Sequence, residues 1–153
     1  HGLRGGTESV AHIIALGRAA EISVERMDGY GELAYLRDWM EEQLIKTTPG
    51  TRVFGGKVPR LPNTSKLMMP GVSSETQVIS FDLAGIEVSA GSACSAGRIE
   101  PPYVLTEMGV TVEDALCAVR VSLGWGTTEA DIKSFVVEWG RIVDRAGGVQ
   151  AAG

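Results

Sequence analysis

Four short extended runs dominate the middle of the chain: "RVFGG" from Arg52, "TSKLMMPG" from Thr64, "GIEVSA" from Gly85 and "VRVSLG" from Val119. Helical segments lie between them, and some links are too brief for a parallel crossover, which needs a dozen or more residues. The chain is thereby restricted to an α+β class, a small mixed or antiparallel sheet with helices packed on one face.

The helices announce themselves by period and by punctuation. Val10, Ile13, Ile14, Leu16 and Gly17 recur at helical spacing and predict an amphipathic helix over 8–24, with Thr7 at its N-cap. "MDGYG" at 27–31 is a break. Leu33, Leu36, Trp39, Met40 and Leu44 predict a second helix over 31–46, ended by "TTPGT". Ser74-Glu75-Thr76-Gln77 reads as a capping box opening a helix to Leu83. Pro101 and Pro102 suit a first helical turn, continued by "YVLTEMG" to Gly109. Thr111 opens a short helix to Ala118, and Thr127-Thr128-Glu129 opens the last one. Ile132, Phe135, Val136, Trp139 and Val143 form the buried stripe of that last helix, and "AGGVQAAG" is expected to fray.

At 153 residues the chain is long enough for one domain with a real core. Its 20 glycines exceed the usual share of about 7% but are scattered, which implies tight turns and not low complexity. A net charge of −5 offers no basic footprint for nucleic acid. No run is apolar enough to span a membrane, and no charged-then-apolar leader opens the chain. Two cysteines, Cys94 and Cys117, are too few for a disulfide framework and fit a reducing compartment such as the cytoplasm. The chain begins without an initiator Met, and its first motif follows at once, so a fragment is expected.

Cys94 sits in "SAGSACSAG", where no side chain is larger than cysteine. Bare neighbours leave a thiol sterically open, as a reactive thiolate requires. A small buried thiol in a tight turn is the alternative. His1 and His12 lie far upstream, so a Cys–His catalytic pair is a poor reading, and so is a metal site. Cys117, in "ALCAV", reads as a core thiol. In "RGGTES", Thr7 and the N–H groups of a helix start offer an anion site or a plain cap. Arg120 is flanked by apolar residues in "AVRVSLG". Alternation places it on the face opposite Val119 and Val121, either as a solvated charge or as a fork for a carboxylate.

In their order, R-x-G-T-E, then S-x-G-S-A-C, then R-x-S-L-G with T-T-E, these segments resemble the cysteine desulfurases. Those are pyridoxal-phosphate enzymes of the class V aminotransferase family, fold type I. The resemblance also takes in "RLPNTS", "GIEVSAGSACSAG" and "PPYVLTEMG", and it points to the group with a long, mobile cysteine loop, since Ala93 stands where the other group carries histidine. It implies that Cys94 is the nucleophile taking sulfur from L-cysteine as a persulfide. It implies that Arg120 grips the substrate carboxylate and that Thr7 reaches the phosphate of pyridoxal phosphate in the partner subunit, hence a homodimer. The product would be L-alanine, and the sulfur would pass to an acceptor such as an iron–sulfur scaffold protein.

None of Lys46, Lys57, Lys66 and Lys133 has the Ser-x-His-Lys setting of the family's Schiff-base lysine. Ser9, Ala90 and Ala96 also depart from common family residues. The resemblance is therefore to the C-terminal part: a lead-in over 1–24, the small domain over 25–147 and a frayed tail over 148–153, with the large domain absent and the isolated chain inactive. A selenocysteine lyase, another class V aminotransferase, or a non-catalytic thiol-carrier module are the alternatives.

Overall fold

The computed structural model describes residues 5–91 and 100–150, the side chains of 148–150 excepted. It comprises α1 (Val10–Glu25), α2 (Met27–Tyr30), α3 (Leu33–Thr47), β1 (Arg52–Phe54), β2 (Thr64–Met68), α4 (Ser74–Leu83), β3 (Ser89–Ala90), α5 (Tyr103–Glu107), α6 (Val112–Leu116), β4 (Ala118–Ser122) and α7 (Glu129–Gln150). The strands form one sheet in the order β1-β2-β4-β3, antiparallel at every pairing. The sheet is thus the antiparallel member of the two expected kinds.

Alternation along β2 and β4 gives the sheet two different faces. Leu67, Val119 and Val121 turn inward. They meet Met40 and Leu44 of α3, Phe81 of α4, and Ile132, Phe135, Trp139 and Ile142 of α7 in the main core. Phe81 and Phe135 stack at 4.8 Å between centroids, and Trp139 tilts against both. On the outer face, Met68 and Ala118 are buried at one end by Leu105, Val110 and Ala115 around α5 and α6. The main helices lie on one face as expected; α5 and α6 add partial cover to the other.

A buried polar network ties α3 to the sheet. The Glu41 carboxylate accepts from Arg60 Nη1 at 2.6 Å, from Arg60 Nη2 at 2.5 Å and from Ser65 Oγ at 2.6 Å. Ser65 occupies an inward position of β2, where a hydroxyl is tolerated because the carboxylate accepts its hydrogen bond.

Several local expectations shift. Ser9, not Thr7, stands at the N-cap of α1, and its side chain makes no capping bond. The apolar stripe of α1 is exposed at Val10, Ile13, Ile14 and Leu16, so its amphipathic face has no partner among the described residues. "MDGYG" forms the single helical turn α2 instead of a plain break. The N-cap of α4 is Ser73, accepting from the Thr76 N–H at 3.3 Å. Gln77 does not close a capping box, because its side-chain amide is drawn inward to donate to the carbonyls of Val72 and Cys117. Only Ser89 and Ala90 of "GIEVSA" pair as strand. Helix α5 ends at Glu107, two residues short of the expected Gly109, which follows the Met108 C-cap with a φ of +78° that suits a residue without Cβ. Helix α7 continues through Gln150, past the point where fraying was expected.

Candidate functional site

Three side chains share one level on the open end of the sheet's outer face. Lys66 of β2 pairs directly with Arg120 of β4, and Arg120 pairs with Ser89 of β3. Because side chains alternate, all three project to the side away from the core. Arg120 is exposed, as the alternation argument required, and its Nη2 donates to Ser89 Oγ at 3.4 Å. It borders a groove of about 460 Å³ whose lining includes Val78, Asp82, Ile86 and Glu87.

Lys66 is half-buried, and its Nζ donates to the Ala118 carbonyl at 3.1 Å. Burial, and then the Arg120 charge, pull its pKa from 10.5 down to about 8. The ammonium also lies beside Gly91: a Cβ built there would meet Lys66 Nζ at 3.0 Å and Pro102 Cγ at 2.5 Å. Glycine is therefore required at 91 by close approach. Sequence reasoning passed over Lys66 and Ser89. The available signal was parity, since Lys66 between inward Ser65 and Leu67 has to emerge on the opposite face.

A larger groove, about 820 Å³, runs between α3 and residues 56–60. Its inner charges are matched, Arg37 with Asp38 and Arg60 with Glu41, and Glu42 and Lys46 line its exposed rim.

Cys94 lies outside the described residues. It follows Gly91 by three residues, so the strand that carries Ser89 to Arg120 leads into its segment. Thr7 is exposed in the coil before α1, on a different element from Arg120. Its position leaves the first N–H groups of a 16-residue helix without a side-chain cap. Cys117 is half-buried at the C-cap of α6 and packs against the smaller core cluster. Burial, with Asp114 and Glu113 adding to it, raises its pKa and keeps it a thiol. No helix among the described residues is long and apolar enough to cross a membrane.

Residues 1–135 match the family model described as aminotransferase class-V. The chain is 39% identical over 144 residues to a cysteine desulfurase of Cereibacter sphaeroides, covering 94% of this chain and 37% of that protein. It is 36% identical over 143 residues to the cysteine desulfurase IscS of Dictyoglomus turgidum, covering 93% and 36%. Among solved structures, a NifS-like protein from Rickettsia africae superposes with a TM-score of 0.80 at 33% identity, over 92% of this chain and 36% of that one. The Escherichia coli cysteine desulfurase CsdA gives 0.66 at 25% identity, over 96% and 33%. The chain thus spans little more than a third of the relatives it matches. With the family model matched over residues 1–135, most of its length, the chain belongs to the class-V aminotransferase family.

Proposed function

We propose that this chain is the small-domain part of a pyridoxal-phosphate-dependent cysteine desulfurase, which converts L-cysteine to L-alanine and loads sulfur on Cys94. The observation that carries the reading is the pairing of Ser89 with Arg120, which brings the strand leading to Cys94 alongside a cation suited to a carboxylate. The relatives named cysteine desulfurase, matching more than nine-tenths of the chain, support it.

Arg120 has the planar fork that holds an α-carboxylate in a fixed orientation. Thr7 and the open N–H groups at the start of α1 fit a phosphate, the portion of the cofactor these residues would hold. That contact is made to the site of a second subunit, so the working assembly is a homodimer. Bound pyridoxal phosphate supplies an electron sink for the substrate's carbon framework. The Cys94 thiolate attacks the substrate sulfur. A sulfur–sulfur bond forms as the substrate's carbon–sulfur bond breaks, and the carbon keeps the electron pair and takes a proton, giving alanine. The persulfide then passes its outer sulfur to an acceptor, an iron–sulfur scaffold protein being the proposed partner. Cys94 follows Gly91 by three residue steps, which limits the separation of their Cα atoms to at most about 11 Å. The setting is cytoplasmic, where free thiols persist. The isolated chain is inactive, because none of its four lysines carries the family's Schiff-base setting.

The test is Cys94→Ala in the intact protein with L-cysteine as substrate. Loss of sulfide release on addition of a reductant is expected. Unchanged release would reject the persulfide role of Cys94.

A further inference from the structure

We infer that Lys66 is a second cation of the Arg120 site, and that a small carboxylate is held between the two. The inference deepens the reading above by giving the amino-acid carboxylate two cationic partners.

Lys66 and Arg120 stand directly opposite each other on antiparallel strands, a position where like charges repel. Neither forms an ion pair with a described carboxylate; nor do Arg26, Lys46 and Lys57, but those three are exposed and lie outside the strands, whereas Lys66 is half-buried opposite Arg120. The stretch outside the described residues, 92–99, contains no acidic residue to neutralise them. The Lys66 ammonium has three donors, and the described partner is the Ala118 carbonyl. Two unneutralised cations at one level, one of them half-buried, form a site whose repulsion an anion relieves.

The spacing suits a carboxylate. Arg120 reaches Ser89, and Lys66 lies beside Gly91. Residues two apart on a strand are about 7 Å apart on the same face. A carboxylate accepting one hydrogen bond from each side spans a gap of that order. The charged group facing Lys66 is Arg120 of β4. Gly91 at the end of β3 and Pro102 ahead of α5 bring no charge. On the Arg120 side the groove carries Asp82 of α4 and Glu87 of the α4–β3 link, neither within ion-pair distance. They repel a second acidic group, so the site favours a monoanion.

The test needs no turnover, so it is decided separately from the role of Cys94. The 153-residue chain, labelled with carbon-13 at lysine Cε, is titrated by NMR in sodium acetate and in sodium chloride of equal ionic strength. Acetate is the carboxylate probe. The Lys66 midpoint is expected to move up by about one pH unit in acetate, with the signals of the other lysines as the internal control for a general salt effect. In Arg120→Gln, an exposed position, the acetate-dependent difference disappears and the chloride midpoint rises because the neighbouring charge is gone. Equal midpoints in both salts, a shift shared by all the lysines, or a shift undiminished in Arg120→Gln would each overturn the inference.

Discussion

Replacing Glu41 by glutamine should destabilise the fold by about 2–4 kcal/mol. The Glu41 residue is 7% exposed. Its carboxylate accepts three short hydrogen bonds, two of them from the Arg60 guanidinium. Hydrogen bonds to a charged group contribute about 1.5–3 kcal/mol each. Glutamine keeps one acceptor but turns an NH₂ donor toward donors already in place, leaving the half-buried Arg60 with the longer 3.7 Å contact to Asp38 as its counter-charge among the described residues. Breaking one side of a fully buried pair costs about 3–5 kcal/mol. Arg60 retains a side-chain exposure of 17%, which lets water take up part of that loss and sets the lower figure. Urea unfolding followed by tryptophan fluorescence reads the change as a lower midpoint with an unchanged slope. A double-mutant cycle with Arg60→Gln should return a coupling of at least about 1 kcal/mol. A loss below about 0.5 kcal/mol for Glu41→Gln, or a coupling near zero, would refute the claim that this network fastens α3 to the sheet.

Gly91→Ala should cost about 1–3 kcal/mol, because the new methyl meets the Pro102 ring at 2.5 Å and the ring has little freedom to retreat; the same urea assay measures it. Lys66 has a folded pKa of about 8 against 10.5, so the unfolded chain holds that proton more firmly. Its destabilising effect is fully present below about pH 8 and fades up to pH 10.5, a gain in stability with rising pH that should be smaller in Lys66→Met. The gain is on the order of 1–2 kcal/mol once partial solvent access is allowed for, and identical pH profiles for the two proteins would reject it. Cys117, with its raised pKa, should react with iodoacetamide at pH 8 more slowly than a free cysteine, as peptide mapping of the alkylated chain would record.

The sheet was legible because its signals are local. The alternation in "AVRVSLG" determines which face Arg120 takes, and the brevity of some links narrows the sheet to a mixed or antiparallel one, of which the structure has the antiparallel. The stripe Ile132, Phe135 and Trp139 on α7 was equally plain, since a helix with one apolar face buries it. Where tertiary contacts compete with local rules, the sequence misleads. Gln77 looks like a capping residue until buried carbonyls of Val72 and Cys117 claim its amide. The stripe of α1 has the right period and no cover among the described residues, because periodicity states that a face is apolar and not what lies on it. Lys66 escaped notice for a related reason: only the register with Arg120 reveals it, and register is a property of two strands at once. Of the site itself, Arg120 and Thr7 carried signals of their own, whereas the role of Cys94 came from the order of motifs around it.

The central claim is that Cys94 accepts sulfur from L-cysteine. The intact protein is incubated with pyridoxal phosphate and L-cysteine without reductant, alkylated, digested and mapped by mass spectrometry. The account predicts one added sulfur atom on the peptide containing Cys94, lost on treatment with a reductant, and none on the peptide containing Cys117. A Cys94 peptide that remains at the mass of the plain alkylated thiol while alanine accumulates would contradict it.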